Sequence, residues 1–322
     1  VDLLFLGTSS GTPTKQRNVT GLALIEDGGS GWVLIDCGEA TQHQLLHTPL
    51  SVNDLQAIFI THVHGDHCYG LPGLLASAGM LGRKKALTIV APEGIEAWLR
   101  ATQQLTQLHL PFELQFAATE SLEGWTTGSL RAEATALSHR VPSFAYTFTE
   151  TRLEPSLDTA KLAREGVPQG PLWGQLRKGL DVSHEGRVLA SRDYVFFPHP
   201  PRRIVVGGDN DQPGLLAEAC RGAQVLVHEA TYTQDVGAKA GDVGHSTAAA
   251  VAAFAEAAGL PHLVLTHFSA RYQSDATRSP SIDDIRAEAA AHYRGELVLA
   301  EDFMRLRLGK AGQLSRVPNA AG

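Results

Sequence analysis

With 322 residues, 43% of them hydrophobic and 19% charged, the chain has enough apolar content to fold without disulfide staples and too much to be disordered as a whole. Its 27 basic and 34 acidic residues leave a net charge of −7, which argues against indiscriminate nucleic-acid binding but leaves room for a local basic patch. The longest apolar run, Ala248 to Ala255, is far short of the roughly 18 residues a membrane span requires, no basic leader precedes the first apolar stretch, and Cys37, Cys68 and Cys220 form no CxxC pair, so a reducing, cytoplasmic setting away from membranes is expected.

In chain order, short apolar runs predict strands at Leu3–Leu6, Leu22–Ile25, Trp32–Ile35, Ala57–Ile60 and Leu87–Val90. Helical patterns intervene at Glu39–His47, Gly70–Leu81 and Gly94–Leu108. The 60 residues from Pro142 to Pro201 break this rhythm, holding seven of the chain's 16 prolines and little sustained periodicity. They read as an inserted arm or long loop rather than a core layer, and a plain solvated connector fits the pattern equally well. Beyond residue 200, strands at Ile204–Val206, Val225–Val227, Leu263–Thr266, Leu297–Leu299 and Met304–Leu308 alternate with helices at Gly214–Arg221, Thr247–Ala258 and Ser281–His292. The whole is an α/β pattern in two similar halves.

The strongest chemical signal is Thr61-His62-Val63-His64-Gly65-Asp66-His67, three imidazoles and a carboxylate in one strand-to-helix loop. Imidazole nitrogen and carboxylate oxygen are ligands that suit zinc. His62 and His64 alternate along extended chain and share a side, while Asp66 and His67 turn toward a second position. His139, Asp209 and His267 each lie at or near the end of a predicted strand. Singly, His139 and His267 read as ordinary core or rim histidines. Together with the first motif, they read as metal ligands.

The pattern His62-x-His64-x-Asp66-His67 resembles the signature of the metallo-β-lactamase superfamily, and the other ligands of that family follow in the right order. The resemblance implies a metallo-β-lactamase fold, a four-layer αβ/βα sandwich spanning residues 1–322. It implies two Zn2+ per chain, one on His62, His64 and His139, the other on Asp66, His67 and His267, with Asp209 bridging. Seven ligands are too many for one tetrahedral zinc and suit a pair sharing a carboxylate.

Further segments are similar to ribonuclease Z, the tRNA 3′-processing endonuclease of this superfamily, in its short bacterial, ribonuclease BN-like form. They are Gly7 to Asn18, Cys68 to Leu75, His228-Glu229-Ala230-Thr231, Gly244-His245-Ser246-Thr247 and Thr266 to Tyr272, and the likeness runs from residue 3 to about residue 306. Gly166 to Trp173 resembles the Gly-Pro motif of the flexible arm with which that family clamps the tRNA elbow, which places a tRNA-binding insert at approximately 150–200. From Lys161 to Arg203, eight cations stand against four acids, a net +4 that leaves −11 elsewhere and suits phosphate contacts.

The resemblance implies hydrolysis of precursor tRNA just 3′ of the acceptor stem, leaving a tRNA 3′-hydroxyl and a 5′-phosphate on the trailer. Asp66 is the expected base and His245 the acid, with Glu229 raising its pKa and orienting it. A bland reading of His245 is that it caps the helix beginning near Ser246. Arg17 and Arg271 are candidates to grip phosphate, and Lys15, Arg17 and Asn18 fit the family's substrate-binding loop P-x-K-x-R-N, here Pro13–Asn18, which the resemblance associates with cutting next to the discriminator base rather than after an encoded CCA. Gly170 and Pro171 would touch tRNA from the arm, and Tyr272 either stacks on a base or packs in the core. A homodimer in which each arm serves the other subunit is implied as well. One departure stands out: Gly208-Asp209-Asn210 occupies a site where the family commonly has Gly-Asp-Thr. The rival readings are another hydrolase on the same binuclear core (a broad phosphodiesterase, arylsulfatase, lactonase or β-lactamase) and a nucleic-acid-binding module with a structural zinc. The first needs neither the Pro13–Asn18 loop nor a basic arm, and the second would use cysteine ligands.

Overall fold

The computed structural model describes residues 1–237, 243–275 and 277–318. The chain divides into two compact units, one of Val1–Thr149 with Arg202–Gly322 and one of Glu150–Pro201.

The larger unit contains two sheets. The first has eight strands in the spatial order Leu314–Val317, Arg305–Leu308, Asp2–Gly7, Gly21–Ile25, Trp32–Ile35, Leu55–Phe59, Leu87–Ala91 and Leu114–Ala118. The second has seven, in the order Glu296–Leu299, His262–Thr266, Val225–Glu229, Arg203–Val206, Ser143–Glu150, Leu130–Leu137 and Trp125–Thr127. Successive side chains of a strand point to opposite faces, and the buried clusters follow that alternation. Leu3 and Phe5 meet Tyr146, Phe148, Ile204 and Val206 between the sheets. Leu4, Leu6, Leu34 and Ile58 face outward onto Leu71, Leu74, Leu75 and Leu99 of the helices Leu71–Met80 and Ile95–Thr106. On the other flank, Val205, Leu226, Leu263 and Leu265 meet Val251, Ala252, Ala255 and Ile285 of the helices Ala248–Ala257 and Ile282–His292. Three apolar interfaces thus separate four layers, helix–sheet–sheet–helix.

Strand direction positions the site. Trp32–Ile35, Leu55–Phe59 and Leu87–Ala91 run parallel, as do Arg203–Val206, Val225–Glu229 and His262–Thr266. In each sheet, the loops that leave the carboxyl ends of parallel strands therefore gather along one edge, the usual place for ligand sites in such sheets.

Several expectations need correction. The helix expected over Gly214–Arg221 is a short 3-10 turn, Pro213–Leu216, and the one over Glu39–His47 shrinks to Thr41–Leu45. Leu114–Ala118 escapes sequence reading because it lies at a sheet edge and is only partly buried, so its apolar pattern is diluted. The proline-rich stretch from Pro142 does not begin as a loop. Ser143–Glu150 is a buried strand whose Tyr146 hydroxyl donates to the Ile60 carbonyl at 2.7 Å.

The Glu150–Pro201 unit has its own small core of Leu162, Val167, Leu176, Val182, Leu189 and Tyr194. Asp158 caps the helix Thr159–Arg164 by accepting from the Lys161 amide at 2.8 Å, and Pro171 opens the helix Pro171–Arg177. A hairpin pairs Val182–His184 with Arg187–Leu189. These boundaries revise the charge balance, because the unit carries seven cations and seven acids. Arg202 and Arg203 belong to the larger unit, where Arg202 pairs with Asp27 at 2.6 Å and the Arg203 guanidinium donates to the Ala219 carbonyl at 3.1 Å. Within the insert, two further acids are occupied locally besides the capping Asp158. Asp181 accepts from the Ser191 amide, and Glu165 accepts from Tyr194 and Arg187. Arg164, Arg177 and Lys178 remain exposed around Gly166–Pro171.

Candidate metal centre

Four strand ends deliver the seven residues singled out as ligands. His62 and His64 follow Leu55–Phe59, with Asp66 and His67 in the short helix Gly65–Cys68. His139 lies just beyond Leu130–Leu137, Asp209 beyond Arg203–Val206, and His267 directly after His262–Thr266. Their donor atoms converge in two groups. In the first, His64 Nδ1 lies 3.1 Å from His62 Nε2 and 3.2 Å from His139 Nε2. In the second, His67 Nε2 and His267 Nε2 are 3.1 Å apart, with Asp66 Oδ2 at 3.6 and 3.3 Å from them. Asp209 points one oxygen into each group. Its Oδ2 is 3.5 Å from His62 Nε2 and 3.8 Å from His139 Nε2, and its Oδ1 is 3.4 Å from both His67 and His267.

This donor set fits two divalent ions. A tetrahedral zinc with bonds of roughly 2.0–2.1 Å sets its ligand atoms about 3.3 Å apart, which is the spacing found here. Asp209 Oδ1 is buried and has no hydrogen-bond partner among the described residues. Burial and the neighbouring His67 hold His62 well below the ordinary histidine value. Burial opposes ionisation of Asp209, yet His267, His67 and His62 hold it well below the usual carboxylate range. Asp66 is depressed likewise, with His67 and His267 outweighing burial.

The far nitrogens of four imidazoles are fixed by protein groups. His67 Nδ1 donates to Asp36 Oδ2 at 2.7 Å, and His139 Nδ1 to the Gly244 carbonyl at 2.6 Å. His62 Nδ1 lies 3.1 Å from Thr61 Oγ1, and His267 Nδ1 3.1 Å from Thr231 Oγ1. Such partners lock ring orientation and the metal-facing lone pair. Asp36 also accepts from the Thr61 amide at 2.8 Å. Asp36 and His267 both adopt positive φ, 58° and 57°, backbone strain that the surrounding structure sustains at the site. Sequence reading missed Asp36, Thr61 and Thr231. The available signal was Asp36, which closes the buried strand Trp32–Ile35 much as Asp209 and His267 follow theirs.

His245 stands beside these groups. Its Nδ1 donates to Glu229 Oε1 at 3.0 Å and lies 3.7 Å from Asp209 Oδ2. Burial lowers its pKa, but Glu229 and then Asp209 outweigh it and push the imidazole up to about 9. His245 does not cap the following helix. Thr247 does, accepting from the Ala250 amide. Glu229 Oε1 also accepts from the amides of Asn210 and Ser246, and Oε2 from the Thr231 amide, so the carboxylate is fixed on both sides. Asn210, where the family commonly has Thr, is fully buried. Its Oδ1 accepts from the Ser138 amide at 3.2 Å, and its Nδ2 donates to His228 Nε2 at 3.1 Å. The amide thereby ties the His139 loop to the strand bearing Glu229, a span that a hydroxyl would not cover from both ends.

The expected substrate-binding residues divide. Lys15 and Arg271 are exposed, the Arg271 guanidinium lying 5.0 Å over the Tyr232 ring. Asn18 is half-buried and donates to the Glu39 carbonyl at 2.8 Å. Arg17 is turned inward, contrary to expectation. It is buried, donates to Thr8 Oγ1 and the Ala300 carbonyl, and stacks 5.0 Å over Phe268. Through Nη1 its guanidinium ties the Pro13–Asn18 loop to Thr8 and Ala300. Tyr272 is buried with its hydroxyl against Thr233, a core role. Gly170 and Pro171 are exposed in the insert. A cleft of about 410 Å³ opens onto His64, Asp66, Asp209 and His245, and Tyr69 and Arg140, which the sequence reading had not singled out, line it too.

Two sheets flanked by helices with a His/Asp cluster at the strand ends define the metallo-β-lactamase fold. The chain matches Bacillus subtilis YhfI, a protein of that fold, with TM-score 0.65 and 18% identity over 94% of this chain and 98% of that one. Residues 1–120 match the family described as anti-Pycsar protein Apyc1. The relatives narrow the class further. Ribonuclease Z of Pseudomonas putida strain GB-1 is 58% identical over 98% of this chain and 100% of its own length, and that of Marinobacter nauticus is 52% identical over 98% and 99%. The short form of human tRNase Z superposes with TM-score 0.66 at 26% identity, covering 96% of this chain and all of that one. The chain belongs to the ribonuclease Z family. Among the described residues, no helix is long and apolar enough to cross a membrane.

Proposed function

We propose that the chain removes the 3′ trailer from precursor tRNA, cutting one phosphodiester so that the tRNA keeps a 3′-hydroxyl and the trailer leaves with a 5′-phosphate. The observation that carries this reading is the Glu229–His245 pair set against Asp209, in a chain of this family. His62, His64 and His139 would hold one zinc ion and Asp66, His67 and His267 a second, with Asp209 shared. Bound there, two zinc ions supply a nucleophilic hydroxide at neutral pH and neutralise charge on the scissile phosphate. Asp66, kept ionised and bonded by the Gly11 amide at 2.7 Å, is assigned to take the proton released as that hydroxide forms from water and to orient it for attack. As the bond from phosphorus to the ribose 3′-oxygen breaks, the protonated His245 donates through Nε2, since Nδ1 is committed to Glu229. Lys15, Asn18 and Arg271 are the groups assigned to the RNA near the cut. Gly170 and Pro171, flanked by Arg164, Arg177 and Lys178, are assigned to the body of the tRNA, with local cation exposure rather than net charge as the attraction.

The enzyme is proposed to work in the cytoplasm, where its three free cysteines stay reduced. It is also proposed to form a homodimer. Leu46, Met80 and Leu81 are exposed along one groove, an apolar patch suited to a second copy, and a monomeric mass in light scattering would dismiss that. The function is tested by incubating the protein with a precursor tRNA, a β-lactam and a small phosphodiester, with and without chelator. The reading expects chelator-sensitive cutting of the precursor and no lactam turnover. Lactam hydrolysis without precursor cleavage would favour the rival hydrolase.

A further inference from the structure

We infer that Tyr69 is a stacking platform for a base flanking the cut, with Arg140 gripping a phosphate in the same cleft. The inference rests on the precursor-tRNA reading above and deepens it. Tyr69 is 64% exposed, at the mouth of the cleft and three residues past the ligand Asp66. Its ring lies directly on the backbone of Gly65, where a Cβ atom would come within 2.2 Å of the ring carbons. Trp98 flanks it at 6.1 Å between ring centroids. Glycine at position 65 is thus what allows the ring to lie down beside the site, and the aromatic is held in place although it faces solvent. Its hydroxyl makes no hydrogen bond among the described residues, so no internal polar contact accounts for it. Arg140 follows the ligand His139, is exposed, and makes no ion pair among the described residues although Asp66 and Asp209 line the same cleft. An aromatic held at its flanks and a free guanidinium beside a phosphodiester-cleaving centre match how single strands are bound, by stacking on one side and backbone charge on the other. Stacking of this kind accepts any base, because each has a π face.

Three precursor tRNAs test this: one intact, one abasic immediately 5′ of the cut, one abasic immediately 3′. Y69A should lower kcat/KM on the intact precursor about tenfold, and Y69F should restore it. One of the two abasic precursors should cost the wild-type protein a similar factor, and on that precursor Y69A should cost nothing more. R140A should raise KM and reduce the salt dependence of binding by about one ion, with R140K recovering part of it. Normal cutting by the wild type with Y69A unchanged, or a Y69A loss of equal size on all three precursors, would overturn the platform alone. Failure of the wild type to cut the intact precursor would overturn the precursor-tRNA reading and this inference with it.

Discussion

The metal centre gathers seven side chains from four strand ends, sets their donor atoms 3.1 to 3.8 Å apart, and fixes four of its five imidazoles from behind. The Glu150–Pro201 insert is organised otherwise. Six buried side chains hold two short helices and a hairpin, while Leu180, Val188, Phe196 and Phe197 stay exposed. The contrast matches the division of labour proposed for the two regions. Chemistry on a phosphodiester tolerates displacements of only about half an ångström, so its groups need rigid supports. Holding a large polyanion needs charge and area more than fixed geometry.

That contrast can be broken by mutation. The largest effect should come from Asp209→Ala, which removes the carboxylate facing both groups. Metal analysis should find fewer than two ions per chain, and cutting of precursor and of small phosphodiester should fall to background. Retention of both ions at full occupancy would show that the bridging role is wrong. Next is His245→Ala, expected to lower kcat on precursor tRNA by about 10²–10⁴-fold with metal content intact. The loss should shrink on an aryl phosphodiester, whose leaving group needs no proton. Equal losses on both would point to positioning instead of proton donation.

Replacing the insert should act on recognition only. Thr149 and Arg203 are paired antiparallel, so a short turn can close the excision. Precursor binding should weaken and its salt dependence flatten, by about one ion for each phosphate the protein no longer neutralises, while small-substrate turnover persists. Collapse of that turnover would make the insert a structural support of the metal centre. The smallest effect concerns the larger unit's stability. Burial raises the pKa of Asp2, but Arg307 and Arg305, the latter at 2.6 Å, outweigh it and hold the carboxyl below its ordinary value. Its folded pKa is depressed, so its contribution is present above the unfolded value of about 3.9 and is lost as pH falls through the lower folded value. Asp2→Asn should lower Tm at pH 7 and narrow the gap to wild type on acidification. A constant gap in Tm from pH 7 to pH 2 would exclude the ion pairs as the cause.

The parts of the molecule legible in the sequence were those where chemistry is crowded into a few residues. His62 to His67 announce themselves because three imidazoles and a carboxylate share six positions, and the central strands because they are apolar on both faces. Asp36, Thr61 and Thr231 were not legible, since single small polar residues acquire meaning only when the fold brings a ring nitrogen to them. Arg17 misled because an arginine in a loop beside a site looks the same whether it faces phosphate or the Ala300 carbonyl. The charge of the insert misled for a different reason. Two of the arginines counted toward it, Arg202 and Arg203, lie past its end, while Glu150, Glu154 and Asp158, against the one cation Arg152, lie inside its start but outside the stretch counted, and only the fold sets those boundaries.

The central claim is most directly tested by mapping the ends left on a precursor tRNA cut by the purified, metal-loaded protein. The account predicts one cut just 3′ of the acceptor stem, a 3′-hydroxyl on the tRNA, a 5′-phosphate on the trailer, and loss of cutting with chelator. Cleavage at scattered positions, a 3′-phosphate on the tRNA, or undiminished cutting after metal removal would contradict it.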